Sequence, residues 1–290
     1  MLRTDKDTAP APASRFLKTT DWLAQRLGDR NVVAVDGSYF LPTQKRDAHA
    51  EYRSGHIPGA VFFDIETICD DSTELPHMLP GPTQFGEAVG ALGIGDGDAV
   101  VVYDSRGLYS AARVWWTFRI FGATDVFILD GGLPRWQAEG RPLETGDAKR
   151  PPRQFHAEMN VGAVAMLADV RMALVDDGVQ IVDARSAERF AGKAPEPRPG
   201  LRSGHMPGSF NVPFERVLDN GSLASRRQIE AAFAAAGVDL DKPIITSCGS
   251  GVTAAILTLA LETIGKTPQG LYDGSWSEWG SRPDLPVERG

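Results

Sequence analysis

A long internal repeat constrains this chain more than any other feature. Arg53-Ser-Gly-His-Ile-Pro-Gly-Ala60 recurs as Arg202-Ser-Gly-His-Met-Pro-Gly-Ser209, with Arg, Ser, Gly, His, Pro and Gly in step. Further pairs follow in the same order at nearly the same offset. Val32-Val-Ala-Val-Asp36 answers to Gln180-Ile-Val-Asp-Ala184, with Asp36 opposite Asp183. Leu129-Asp-Gly-Gly132 answers to Tyr272-Asp-Gly-Ser275, and Trp136 to Trp279. A period of about 145 residues is far beyond the ~20–50 of a solenoid, so the repeat means two domains of one fold. The length of 290 residues agrees, at about 150 per domain. Gly146-Asp-Ala-Lys-Arg-Pro-Pro-Arg153 is polar, charged and Pro-rich, as a linker is. We therefore expect a first domain over 15–145, a linker over 146–160 and a second domain over 161–290.

Each copy alternates strand and helix signals. Val32–Val35, Ala99–Tyr103 and Val126–Leu129 are short β-branched runs, read as buried parallel strands. Phe85–Leu92 and Ala111–Phe121 carry helical spacing of apolar residues. In the second copy Ile181-Val182 and Ile244–Thr246 read as strands. Ser225-Arg-Arg-Gln228 is a capping box opening a helix over Ile229–Ala236, and Ala254–Ile264 is a further helix. The fold class is α/β, each domain a parallel sheet flanked by helices. Ligands in such sheets bind at the carboxyl ends of strands.

Composition narrows the function. Lys and Arg number 30 against 38 Asp and Glu, a net charge of −8. That excludes nucleic acid as the main partner, which needs a basic surface, but allows a local basic pocket. With Cys69 and Cys248 alone there is no disulfide framework, and a reducing, cytoplasmic setting is expected. Val252–Leu261 is too short to span a bilayer and holds two Thr. The N-terminus has no apolar core behind its charges, and Asp5 and Asp7 speak against a mitochondrial presequence. Ala9–Ala13 reads as a disordered leader. No His/Cys cluster has zinc spacing and no Gly-X4-Gly-Lys-Ser/Thr loop occurs, so neither metal nor other cofactor is expected.

One loop meets the strand-end rule. Ile244-Ile-Thr-Ser247 runs into Cys248-Gly-Ser-Gly-Val-Thr-Ala254, and a helix follows at once. Gly249 and Gly251 permit the turns that aim successive N–H groups inward. Together with the positive helix end, such a nest stabilises an anion and makes a cysteine nucleophilic. The competing reading is a small buried core residue, the usual fate of a free cysteine. The repeat supplies a control: Asp104-Ser-Arg-Gly-Leu-Tyr-Ser110 stands opposite this loop, with Asp104 at the cysteine position. The first copy should be catalytically silent. Cys69 reads as a bystander. Trp115, Trp116, Trp276 and Trp279 read as core or domain-interface residues.

The cysteine loop, the duplicated Gly-His-X-Pro-Gly-Ala/Ser and Asp273-Gly-Ser-Trp-Ser-Glu-Trp279 resemble the two-domain rhodanese superfamily over about residues 15–285. They are most similar to its members that use 3-mercaptopyruvate. The resemblance implies sulfur transfer by a ping-pong route. Sulfur passes from 3-mercaptopyruvate through a Cys248 persulfide to a thiol, a thioredoxin-like protein or cyanide, and pyruvate is released. Thiosulfate enzymes of this fold carry Arg and Lys where this chain has Gly249 and Ser250, so thiosulfate is the second choice of donor; a non-enzymatic rhodanese-like binding module is the third reading. A cysteine phosphatase would need an Arg at Ala254 or Ala255.

The resemblance also implies site residues. Arg189 and Arg198 hold the donor's carboxylate and carbonyl, which suits a planar guanidinium. Gly249, Gly251, Val252 and Thr253 form the cradle. His56 and Ser250 form a proton relay with Asp47 as the carboxylate, Asp64 being the alternative. Tyr109 lines the cleft. Gly-His-X-Pro-Gly is first a turn, and that reading suffices for His205; Arg185 is open between substrate and structure.

Overall fold

The computed structural model describes residues 14–176 and 178–290. The leader at Ala9–Ala13 and the N-terminal targeting readings lie outside them. In the first half the strands are β1 (Leu17–Lys18), β2 (Val32–Asp36), β3 (Val61–Phe62), β4 (Ala99–Tyr103) and β5 (Val126–Leu129). In the second they are β6 (Val164–Ala165), β7 (Gln180–Asp183), β8 (Phe210–Asn211), a hairpin of β9 (Leu218–Asp219) and β10 (Ser222–Leu223), β11 (Ile244–Ser247) and β12 (Gly270–Tyr272). The two five-stranded sheets have orders β1-β5-β4-β2-β3 and β6-β12-β11-β7-β8, the same path twice. Every pairing in both is parallel. The Val-rich β2 and β4 are buried because parallel strands are covered on both faces.

The helices fall where apolar spacing puts them. α1 (Thr20–Ala24), α2 (Ala48–Ser54), α3 (Pro82–Ala91), α4 (Ala111–Ile120) and α5 (Gly132–Ala138) belong to the first half; α6 (Leu167–Ala173), α7 (Ala187–Phe190), α8 (Arg226–Ala235), α9 (Ala254–Thr263) and α10 (Ser275–Trp279) to the second. α3 begins earlier than its apolar spacing because Pro82 is preorganised for the first helical turn. The Ser225–Gln228 capping box opens α8.

The helices that follow the two equivalent loops, α4 and α9, pack on each other. Ala254–Leu261 is buried throughout, and α4 nearly so, since each lies between its own sheet and the other domain. One apolar cluster therefore runs through both halves. Trp115 and Trp116 lie in it, while Trp276 and Trp279 lie in the second half's own core. Arg119 closes the α4–α9 contact with two bonds to Glu262, 2.9 and 2.8 Å. This docking turns the carboxyl ends of β4 and β11 toward one seam.

The segment read as a linker is packed rather than loose. Its backbone runs so close along α3 that a Cβ on Gly86 would meet Phe155 O at 2.6 Å. Phe155 stands edge-on to Phe85, and Arg153 pairs with the buried Asp98 at 2.6 Å. Charge and proline content hid this, because the anchoring residues are few.

Candidate active site

Cys248 follows the last residue of β11 and is 1 % exposed, at the foot of a cavity of about 280 Å3 between the domains. Gly249, Ser250, Val252 and Thr253 share its wall. Gly251, at φ +75°, makes the turn that a side chain would resist. The loop is tied from below by Ser275, whose Oγ accepts the N–H of Cys248 at 3.3 Å and of Gly251 at 3.0 Å. Ser275 itself sits at φ +50°, where its counterpart Gly132 sits at +53°. The second copy accepts that strained conformation for a serine and gains a hydroxyl under the loop.

The first copy's loop explains what this architecture holds. Asp104 stands at the cysteine position. Its Oδ1 accepts the N–H of Arg106 at 2.8 Å, and its Oδ2 those of Tyr109 at 2.7 Å and Ala111 at 2.9 Å. Burial pushes Asp104 above the usual carboxylate range, and the three N–H groups counter it. The first loop is thus an anion nest filled by its own side chain. Tyr109 from this loop lines the cavity opposite Cys248. Burial pushes its hydroxyl up to about 12, Arg106 opposing and Cys248 adding to the rise.

Two arginines enter from the second domain. Arg189 lines the cavity and donates from Nη2 to Glu196 at 2.5 Å. Its Nη2 lies 3.0 Å from where a Cβ on Gly249 would stand. Glycine at 249 therefore leaves room for Arg189 beside the cysteine. Arg198 lines the same cavity and donates to Tyr39 Oη of the first domain at 3.1 Å. Arg185 touches the cavity but is consumed by structure. Its head group binds Asp183, Glu196 and Gly204 O with nothing exposed.

The structure does not bring His56 or Asp47 to the cysteine. His56 Nδ1 bonds Tyr52 O at 3.0 Å, its ring stacks on Tyr52, and its backbone pairs with Glu144. His205 repeats this with Phe190 and Glu288. Both histidines pin the same turn in their own domain, which is what a residue kept in both copies does. Asp47 caps α2 by accepting the N–H of Ala50. It lines a neighbouring cavity, as does Asp64.

The histidine that faces the loop is His77, which sequence reasoning missed. It is 4 % exposed, edge-on to Tyr39 at 4.7 Å, with neither ring nitrogen hydrogen-bonded. Burial lowers it to about 3, with Arg198 and Arg113 adding; the nearby Ser250 backbone pulls the other way. It is a neutral imidazole against the cysteine loop. Among the described residues no group of three or more His, Cys, Asp or Glu side chains is placed to hold a metal, and no helix is long and apolar enough to cross a membrane.

Comparison with known proteins agrees with this geometry. The model of the Rhodanese-like domain matches residues 19–139 and again 156–282. The chain belongs to the rhodanese family. Among rhodanese relatives, the 3-mercaptopyruvate sulfurtransferase of Escherichia coli (strain K12) is 48 % identical over 92 % of this chain and 96 % of its own. The 3-mercaptopyruvate sulfurtransferase of Homo sapiens is 40 % identical over 95 % and 96 %. The crystal structure of SseA from Escherichia coli, a 3-mercaptopyruvate sulfotransferase of "Rhodanese" fold, superposes with a TM-score of 0.84 at 44 % identity. It covers 90 % of this chain and 98 % of that one. Within this rhodanese pair, Ser275 is legible after the fact by one signal: it differs from the Gly132 that the other copy carries at its place.

Proposed function

We propose that the chain is a 3-mercaptopyruvate sulfurtransferase whose nucleophile is Cys248. The observation that carries this is the matched pair of loops. Asp104 fills its nest with a carboxylate, whereas the equivalent loop carries Cys248 at that place, on a cavity that Arg189 and Arg198 also line. What the first nest holds as an oxyanion, the second holds as a thiolate or a charged persulfide.

The chemistry follows. Arg198 and Arg189 hold the donor's carboxylate and carbonyl, leaving its sulfur at Cys248. The thiolate attacks that sulfur, the carbon–sulfur bond breaks, and the electron pair goes to the enolate of pyruvate. The donor's thiol proton ends on the methyl carbon by way of Ser250, backed by the neutral His77. Cys248 is left as a persulfide. A thiol, a thioredoxin-like protein or cyanide takes the outer sulfur and restores the thiolate. The free thiol this cycle needs suits a reducing compartment such as the cytoplasm. Arg189 stands beside Gly249, so a side chain at that position would have to displace its guanidinium.

The test is pyruvate release with mercaptopyruvate set beside thiocyanate formation from thiosulfate. Mercaptopyruvate should be preferred by a wide margin. Equal or better use of thiosulfate would reject the donor assignment.

A further inference from the structure

The first domain's loop has no cysteine, yet it still shapes the reaction cavity. We propose that Arg106 in that loop is a specificity-determining residue that favours negatively charged sulfur acceptors in the second half of the reaction. The proposal rests on the reading of Cys248 as the persulfide carrier.

Arg106 is exposed and lies on the wall of the cavity that ends at Cys248. Its guanidinium lies 4.3 Å from the centre of the Tyr109 ring, which also lines that wall. It makes no ion pair among the described residues. The other lining guanidiniums are engaged: Arg185 by Asp183 and Glu196, Arg189 by Glu196, and Arg198 by Tyr39 Oη. One carboxylate, Glu215, lines the wall from the second domain. Arg106 and Arg198 outweigh it.

The backbone that presents Arg106 is rigid. Its own N–H is held by the Asp104 carboxylate. The next residue, Gly107, has φ +102° and is pressed against the β9–β10 hairpin, so that a Cβ there would meet Gly221 O at 2.6 Å. The self-filled nest thus fixes a cation at the rim of the other domain's site.

Geometry assigns this cation to the acceptor. The donor's charge is met by Arg189 and Arg198 on the second domain's wall. Once pyruvate has left, Cys248 carries an extra sulfur and the space above it is smaller. An acceptor thiolate attacks that outer sulfur, the new S–S bond forms, and the bond to Cys248 breaks with the electron pair returning to Cys248. No outside oxidant is needed. The acceptor's tail stays at the rim, beside Arg106 and Tyr109.

The test uses the full-length enzyme loaded with mercaptopyruvate and freed of excess donor. Persulfide discharge is timed with three thiols of like size: 2-mercaptoethanesulfonate, 2-mercaptoethanol and cysteamine. Variant-to-wild-type ratios cancel differences in thiol basicity. Arg106→Gln should slow discharge by the sulfonate about three- to fivefold relative to 2-mercaptoethanol, the range of one exposed charge contact. Cysteamine should gain. Arg106→Lys should keep most of the preference, and high salt should erase it. Equal change with all three thiols, no change, or a loading step slowed as much as discharge would overturn the proposal. No loading of the wild type would overturn the Cys248 reading and the proposal with it.

Discussion

Arg113 of α4 and Asp273 beside α10 meet across the domain seam at 2.6 Å, each about 2 % exposed. Arg113 also donates to His77 O at 2.6 Å, and Asp273 accepts the N–H of Leu79 at 2.7 Å. Two residues beyond Asp273 stands Ser275, which holds the Cys248 and Gly251 N–H groups. One buried ion pair therefore joins domain docking, the His77 segment and the cysteine loop.

Breaking that pair should be costly. Arg113→Met leaves a buried carboxylate without its cation, a loss of about 3–5 kcal/mol. Denaturant unfolding should show it, with donor turnover reduced as the loop loosens. Arg113→Met combined with Asp273→Asn should recover part of the stability. A single-variant loss under about 1 kcal/mol would mean the pair does not bear on docking.

His77 gives the fold an acid sensitivity with a definite sign. Its folded value of about 3 lies below the ~6.5 of an exposed histidine. Between the two the unfolded chain binds more protons, so stability is full above about pH 6.5 and declines as pH falls toward 3. By pH 4.5 the loss is on the order of 2–3 kcal/mol. Asp36, raised to about 6 by burial, acts in the opposite sense. The comparison is therefore wild type against His77→Asn, a residue tolerant of the positive φ at this position. From pH 7 to 4.5 the wild type should lose more stability than the variant. Parallel curves would contradict a buried neutral His77.

The donor clamp should separate binding from acceptor chemistry. Loss of one charge-assisted contact to a carboxylate costs about 1.5–3 kcal/mol, or roughly ten- to a hundredfold. Arg198→Ala and Arg189→Ala should raise the Michaelis constant for mercaptopyruvate by that much and leave a neutral thiol acceptor largely unaffected. Arg→Lys should rescue in part, since a point charge lacks the fork. Tyr39→Phe, which removes only the anchor of Arg198, should have a few-fold effect, in line with about 0.5–1.5 kcal/mol for one hydrogen bond. Unchanged donor kinetics in both alanine variants would remove the arginines from the site.

His56→Ala and His205→Ala should behave alike. Each loses a turn anchor and about 1 kcal/mol or more of stability, while the Michaelis constant for mercaptopyruvate stays within about twofold of wild type. A His56 variant with selectively impaired donor chemistry would restore it to the relay.

The repeat made the fold readable. β2, β4, β5, α4 and α9 fall within about a residue of their apolar spacing, because buried parallel strands and interface helices carry their pattern locally. The cysteine loop was readable for the same reason, as a strand end, two glycines and a helix start. The relay was not. The resemblance placed His56 in the relay, but a residue kept in both copies serves what both copies share, here a turn. Residues serving the one active loop should differ between copies, as Cys248 differs from Asp104 and Ser275 from Gly132. His77 was passed over because it lies in an irregular stretch without a motif. Arg113 was hidden too: a helix sequence does not reveal that one of its charges is buried against another domain.

The central claim is that Cys248 carries the sulfur. Its most direct test is mass spectrometry of the enzyme after one exposure to mercaptopyruvate without reductant. The account predicts a gain of one sulfur atom on the peptide containing Cys248, pyruvate released in equal amount, and return to the starting mass on adding a thiol. Cys248→Ser should show neither the gain nor the pyruvate, and Cys69→Ser should show both. Sulfur found on Cys69, or retained in the Cys248→Ser variant, would contradict the account.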